Sequence, residues 1–233
     1  MAEPVLQLGR LAYEPAGRRL LDGVSLTLQA GEAVALAGAN GSGKTTLLRA
    51  AAGLLPAATG TILANGLDPR LVAPAVAARR RLYLEQHPSC AWDQTVAELG
   101  ALAERPDAWA DWAERLALTE MAERPLASLS GGERQAAHLA RVLASLDEPY
   151  GCLLLLDEPT AALDRVRRAT VQRAVQAWAQ AGAAVLVAPH EAAWAAAFPR
   201  VVALEEGRLI ADGAPAATLT DGLVRAVWGG PAR

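Results

Sequence analysis

The stretch Gly38-Ala39-Asn40-Gly41-Ser42-Gly43-Lys44-Thr45 decides the fold of this 233-residue chain. It satisfies the pattern G-x-x-x-x-G-K-[ST] at every position, follows the apolar run Ala33–Leu36 and opens a helical pattern, which is the context this motif requires. The glycines let backbone N–H groups turn inward around an anion at a helix N-terminus, and Lys44 adds a full positive charge. The stretch therefore predicts a phosphate-binding loop in which Thr45 holds Mg²⁺ by its hydroxyl and Thr46 extends the nucleotide contacts.

Short apolar runs alternate with longer helical patterns along the chain. Ala33–Leu36, Leu153–Leu156 and Val185–Val187 read as buried strands, and the helical pattern of 166–181 lies between the last two. This alternation predicts an α/β fold built on a parallel sheet. Between positions 86 and 130 no strand-like run occurs, so we predict a small helical insert there.

The amino-acid composition argues against several classes of protein function. Half of the residues (52%) are hydrophobic, enough for a sizeable core, and the net charge of -3 provides no global basic field for nucleic acid. Cys90 and Cys152 lack a C-x-x-C spacing, which argues against a disulfide framework or a zinc site. The longest uncharged run, 50–67, is broken by glycine and proline, and Met1–Pro4 shows no signal pattern. We expect a protein inside the cell that does not itself span a membrane.

Two adjacent carboxylates end an apolar strand. Cys152–Leu156 leads directly into Asp157 and Glu158, at the edge where ligands bind in open α/β sheets. We predict that Asp157 supports Mg²⁺ through its bound waters and that Glu158 orients and deprotonates the water that attacks the γ-phosphate. A plain acidic turn is the alternative for this pair taken alone.

A second glycine-rich helix start follows the insert. Ser130-Gly131-Gly132-Glu133 is an S-x-x-E capping box before an apolar-periodic run. An ordinary capped helix is the simplest interpretation of this motif by itself. Together with the phosphate loop, this motif suggests that one nucleotide is bound between two helix N-termini, either within one chain or across a dimer.

The ordered set of motifs resembles that of the ATP-binding subunits of ABC transporters, over nearly the whole chain. In that family's terms the motifs are the Walker A loop (Gly38–Thr45), the Q-loop (Gln86), the signature (Leu129–Gln135), Walker B (Leu153–Glu158), the D-loop (Ala162–Asp164) and the switch histidine (His190). The resemblance implies a P-loop ATPase with a mixed-sheet core, an antiparallel β subdomain and a small helical subdomain. It implies a single domain, 1–233, in which 1–86 and 130–233 form the core with its β subdomain and 87–129 form the helical subdomain.

The resemblance also implies a head-to-tail dimer. In such a dimer Lys44 and Asp157 of one protomer and Ser130, Gly131 and Gly132 of the other enclose each ATP. Asp164 of the D-loop counts among the nucleotide-binding residues by the same resemblance.

Three further roles are implied by the family pattern. Tyr13 would stack on adenine, with a packed surface tyrosine as the alternative; Gln86 would sense Mg²⁺ and the membrane partner; and His190 would contact the γ-phosphate. Glu191 departs from the pattern, since an aspartate usually follows this histidine, and the fine geometry of the switch is therefore open.

The function implied is that of an ATPase subunit that drives a separate transmembrane permease from the cytoplasmic face of the membrane. The expected partners are the permease subunits, a second ATP-binding subunit that is identical or a close paralogue, and a substrate-binding protein reached through the permease; no nucleic acid is expected. We predict that Pro88, Cys90, Ala91 and Trp92, which follow Gln86, receive a permease helix. Burial of Trp92 in the insert is the alternative.

Three segments look most similar to importers of metal chelates, haem or vitamin B12, namely Leu84–His87, Leu139–Ala144 and Leu219–Leu223. Energy-coupling-factor importers of vitamins or metals and small exporter ATPases are the competing assignments. The alternative of another class is a non-transport ABC ATPase of DNA repair, chromosome handling or translation. It is opposed by the lack of a long coiled coil, a second ATP-binding half or zinc-binding cysteines in this sequence.

Overall fold

The computed structural model describes residues 3–73, 76, 78, 80–86, 93–103, 105–145 and 148–229. The strands are β1 (Leu6–Tyr13), β2 (Leu21–Leu28), β3 (Ala33–Ala37), β4 (Thr59–Ala64), β5 (Arg81–Leu84), β6 (Leu153–Asp157), β7 (Ala184–Ala188), β8 (Arg200–Glu205) and β9 (Arg208–Gly213). The helices are α1 (Lys44–Ala51), α2 (Val96–Ala101), α3 (Pro106–Arg115), α4 (Gly131–Ala144), α5 (Arg165–Gln180), α6 (Ala192–Ala195), α7 (Pro215–Thr218) and α8 (Asp221–Trp228).

The strands form two sheets. A six-stranded sheet has the order β5-β6-β7-β3-β8-β9, in which all neighbours are parallel except the β8–β9 hairpin. A three-stranded antiparallel sheet has the order β2-β1-β4. The predicted mixed-sheet core and antiparallel β subdomain are both confirmed.

The central strands are apolar because helices or the second sheet cover both of their faces. Every residue of β3, β6 and β7 is buried. Side chains alternate between two cores: Leu153 and Leu155 join the core that contains α1 and the antiparallel sheet, whereas Leu154 and Leu156 join the core that contains α4 and α5. Strand β6 is therefore buried up to its last residue, Asp157, which is the first of the two predicted carboxylates.

Strand order brings the predicted site together. Since β6, β7 and β3 are neighbours and parallel, their carboxyl ends lie side by side at one edge of the sheet. The phosphate loop follows β3, the Asp157–Glu158 pair ends β6, and His190 follows β7. Three segments that are far apart in sequence thus meet at one edge.

The segment before α4 is helical in its described part. Helix α2 begins at Thr95 with a capping box to Glu98, and α2 and α3 pack against α4. Trp112 of α3 is buried and meets Trp178 of α5 edge-on, with ring centroids 5.7 Å apart. The exact division at 87–129 stays a prediction, and Pro88, Cys90, Ala91 and Trp92 lie outside the described residues. Within the described ranges, no helix is long and apolar enough to cross a membrane.

Candidate active site

The phosphate loop connects β3 to α1, and close backbone approach explains two of its glycines. A Cβ on Gly38 would lie 2.5 Å from the Leu204 carbonyl oxygen. Gly43 has a φ of +106°, and its Cβ would lie 2.7 Å from the Leu20 carbonyl oxygen. Any side chain at these positions would push the loop out of its place between the two sheets.

The ammonium group of Lys44 lies inside the loop. Its Nζ donates to the carbonyl oxygens of Gly38 (2.7 Å) and Ala39 (3.1 Å). Burial lowers the pKa of Lys44, and the charges of Glu158 and Asp157 act in the opposite direction. The loop therefore holds a cation close to two carboxylates, ready for a multiply charged anion.

The strand end β6 presents the two carboxylates differently. Asp157 is the last residue of the strand, pairs with Ala188 of β7 and is only 1% exposed. Glu158 follows with a left-handed φ of 46°, and its N–H donates to the Ala188 carbonyl at 3.0 Å. Its Oε2 lies 3.8 Å from Nδ1 of His190, whose side chain is 54% exposed. Glu158 and His190 are thus within reach of one small group bound between them.

Two adjoining cavities surround the loop and share Asn40, Lys44 and Glu158. The first, of about 370 Å³, is also lined by Gly38 and His190. These residues place a charged loop, a carboxylate and an imidazole around one space.

The second cavity, of about 340 Å³, adds further predicted ligands of the nucleotide and its metal. Its lining includes Gly41, Gly43, Thr45, Thr46 and Gln86. Ser42, within the loop, is buried. The structure therefore brings together Gly38–Thr46, Gln86, Glu158 and His190 around these two cavities, and the roles assigned to them stay predictions.

Tyr13 lies apart from these cavities. It ends β1 opposite Leu21 and packs, half-buried, against the core of the antiparallel sheet. Arg18 and Leu20, from the connection to β2, line the second cavity instead, and also a neighbouring cavity of about 650 Å³. No motif points to Arg18, because its position depends on how this connection folds over the phosphate loop at Gly41.

The second glycine-rich motif starts α4 as its sequence indicates. The Glu133 N–H donates to Ser130 Oγ (3.2 Å), and the Ser130 N–H donates to Glu133 Oε2 (2.8 Å). The bond to the Ser130 backbone is the main cause of a lowered pKa at Glu133. Ser130 and Gly131 are exposed, and none of the residues from Ser130 to Gly132 lines either cavity around Lys44. Its contact with a nucleotide of another protomer stays a prediction.

The D-loop packs between this motif and α5. A Cβ on Gly132 would overlap the carbonyl oxygen of Ala162. Asp164 caps α5, since its Oδ1 accepts the N–H groups of Val166 and Arg167, each at 2.9 Å. These bonds, above all the one from Arg167, lower the pKa of Asp164. Within its own chain Asp164 is a helix cap, and its predicted nucleotide contact is untested.

Two other parts of the site were not predicted from the motifs. Val227 and Trp228 of α8 line the first cavity beside His190. Glu191, noted only as a departure from the family pattern, lines the same cavity and is paired with Arg168 of α5. An amphipathic helix at 221–228 is visible in the sequence, but nothing there indicates what it packs against.

A phosphate loop with its lysine, a buried aspartate at a neighbouring strand end, and a glutamate beside a histidine define a P-loop ATPase. The family model described as ABC transporter matches residues 21–161. The chain belongs to the ABC transporter family, and it is an ATP-binding and ATP-hydrolysing member of it.

Curated relatives are similar over nearly the whole chain. The "Hemin import ATP-binding protein HmuV" of Streptomyces coelicolor is 40% identical over 98% of this chain and 85% of its own length. The protein of the same name from Myxococcus xanthus is 40% identical over 91% of this chain and 85% of its length.

Solved structures show the same fold. One described as an ATP binding subunit of an ABC transporter has a TM-score of 0.80 at 24% identity, covering 90% of each chain. The cbiO1 protein of Clostridium perfringens has a TM-score of 0.74 at 23% identity, covering 96% of this chain and 93% of its own.

Proposed function

We propose that this chain is the ATPase subunit of a haem importer, bound peripherally to a permease at the cytoplasmic face of the membrane. The convergence of Lys44, Glu158 and His190 at one sheet edge carries the ATPase part. The relatives named for hemin import favour haem over the other metal chelates and vitamins, and over the energy-coupling-factor and exporter alternatives. The same relatives, which are named for import and match nearly the whole chain, also favour transport over a role in DNA repair or translation.

The position of each site residue suggests its role in hydrolysis. The N–H groups of the loop and the ammonium of Lys44 bind the β- and γ-phosphates, because Gly38, Asn40 and Lys44 line the first cavity. Glu158 takes a proton from the attacking water at its carboxylate, and His190, 3.8 Å away, contacts the γ-phosphate. The electrostatic part of catalysis then comes from groups that are already in place before the reaction.

The donors at the second cavity suit Mg²⁺. Thr45 and Gln86 would contribute a hydroxyl and an amide oxygen, and the buried Asp157 at the adjoining strand end would contribute a carboxylate. Oxygen donors of this kind are preferred by a small hard dication, which keeps several waters and uses few protein ligands. When bound, Mg²⁺ would neutralise charge on the phosphates.

The base role is tested by Glu158→Gln. We expect normal ATP binding and a loss of steady-state hydrolysis of about 100-fold or more, because the amide cannot accept the proton. Glu123→Gln, at an exposed position in the helical segment, is the matched control and should hydrolyse ATP normally. Unchanged turnover in Glu158→Gln would remove Glu158 from this role.

The active form in this proposal is a head-to-tail dimer with a composite site. Ser130→Arg should abolish hydrolysis but leave ATP binding, since it blocks the helix start that completes the partner's pocket. Lys44→Ala should abolish binding at its own loop. Mixed dimers of the two variants should recover one working site; failure of both expectations would leave Ser130 as a helix cap only.

The proposed role in haem transport must be tested in cells. Replacing the chromosomal gene by the Glu158→Gln form should stop haem uptake, and a mild-detergent pull-down should recover a permease. Normal haem uptake together with a loss of uptake of another metal chelate would contradict the assigned substrate, while leaving the ATPase assignment in place.

A further inference from the structure

The guanidinium of Arg168, in the first turn of α5, joins two loops of the active site. Its Nη1 donates to the carboxylate of Glu191, and its Nη2 donates to the Leu163 carbonyl oxygen at 3.1 Å. Leu163 belongs to the D-loop and is 3% exposed, so this acceptor is fixed by the core. Glu191 directly follows His190. One side chain thereby ties the segment that carries the switch histidine to the D-loop, at its buried residue Leu163.

The backbone around His190 is short and is held at both ends. Ala188 is the last residue of β7, and Asp157 and Glu158 pair with it. Glu191, three residues later, is held by Arg168 and is the residue that precedes the four-residue helix α6. The imidazole itself is half-exposed. Its place in the cavity therefore depends on these two anchors.

We propose that Arg168 is a positioning residue for hydrolysis, which sets His190 against the γ-phosphate by fixing Glu191 to the D-loop. The inference rests on the proposed role of His190. Arginine suits the task because its planar fork serves two acceptors in fixed directions, whereas lysine is a point donor that cannot hold the same geometry. Small displacements of a positioned group are costly to a reaction, so an indirect contact can control the rate.

The contact with Arg168 gives a physical reason for the glutamate at position 191, where the family pattern has an aspartate. An aspartate, usual at this position in the family pattern, would place its carboxylate about 1.5 Å further back, by one carbon–carbon bond. The bond from Arg168 would then be lost or would pull the loop toward α5. The longer side chain and the arginine form one matched pair in this protein.

The first experiment measures ATP hydrolysis by Arg168→Gln, Glu191→Gln and the double variant, using the full chain. We expect kcat to fall about 10- to 100-fold in Arg168→Gln. ATP binding and KM should stay within about twofold, because the phosphate loop is untouched. The double variant should be no slower than the slower single variant, since both remove the same link. Arg173→Gln, an exposed arginine on the same helix, is the control and should keep full activity.

Several outcomes would overturn the proposal. Wild-type kcat in Arg168→Gln would do so, as would losses that multiply in the double variant, because the residues would then act separately. A lowered melting temperature with parallel losses of binding and turnover would indicate an ordinary structural role. Arg168→Lys adds a further test: it keeps the charge but not the fork, and full recovery of kcat by it would also contradict the proposal.

A second experiment locates the effect in the dimer. Mixed dimers of Ser130→Arg and Lys44→Ala chains keep one site, which uses Lys44 and His190 of the Ser130→Arg chain. Arg168→Gln placed in that chain should slow the site, whereas in the Lys44→Ala chain it should not. The reverse, or equal slowing, would refute positioning through Glu191. If the parent mixed dimer is inactive, the dimer proposal fails, and the kcat comparison of single variants still decides the role of Arg168.

Discussion

Acid should destabilise this protein through His138, which lies in α4 behind the signature motif. The imidazole is 4% exposed, and burial lowers its pKa to about 4, with smaller contributions from Arg141 and Arg134. In the unfolded chain the same group titrates near 6.5. Above that pH it is neutral in both states and has no effect. As the pH falls below it, the unfolded chain binds a proton that the folded chain does not, so stability is lost.

The size of the effect follows from the two pKa values. Through this one group the free energy of unfolding is lower by about 2 kcal/mol at pH 5 and by about 3 kcal/mol at pH 4 than at neutral pH. Domains of this kind are stable by only about 5–15 kcal/mol, so the loss is a substantial part of the total.

Urea denaturation of the wild type and His138→Gln, at about pH 7.5 and pH 5, isolates the effect from the other titrating groups. The free energy of unfolding of the wild type should fall relative to the variant by about 2 kcal/mol between these pH values. Val142→Ala, a buried substitution on the same helix, is the control, and its cost should not change with pH. A constant difference between wild type and His138→Gln would refute the argument.

Five other substitutions test contacts of the site and of the helices beside it. Gly132→Ala should slow hydrolysis and cost about 1–3 kcal/mol in denaturation, because its Cβ overlaps a D-loop carbonyl, whereas Gly131→Ala has open space and should be stable. Arg18→Ala and Tyr13→Ala should each weaken ATP binding in equilibrium titrations, the former by more, because Arg18 lines the second cavity. Arg167→Ala should lower the free energy of unfolding by about 1–3 kcal/mol, since Arg167 donates at 2.8 and 3.1 Å to two carbonyls at the end of α3.

The central sheet was predictable because its strands are continuous apolar runs. Leu153–Leu156 and Val185–Val187 are too short for helices and too apolar for exposed strands, so a doubly covered parallel sheet is the natural interpretation. The antiparallel sheet followed only from the family resemblance. Its strands are half-exposed and irregular, with register shifts in β1 near Leu11, and local patterns of this kind do not indicate their partners.

The parts of the site that form short contiguous motifs could be predicted from the sequence. The loop before Thr45, the Asp157–Glu158 pair and His190 each stand at a strand end, so the sheet edge collects them once the strand order is given. Arg18 and Arg168 were missed because their partners are set by packing between distant segments: Arg168 and Glu191 are 23 positions apart. Neither arginine carries a spacing that local sequence could reveal.

The two glycine-rich helix starts differ in their caps and in their surroundings: Gly43 precedes α1 without a side-chain cap, whereas Ser130 caps α4 in a box with Glu133. The start at Lys44 opens into a cavity shared with Glu158, whereas the start at Ser130 is exposed and lies against its own D-loop, where Gly132 closely approaches the Ala162 carbonyl. The same D-loop supplies the Leu163 carbonyl that accepts from Arg168, so one short loop lies against the second helix start and also binds the side chain that holds Glu191 beside the switch histidine.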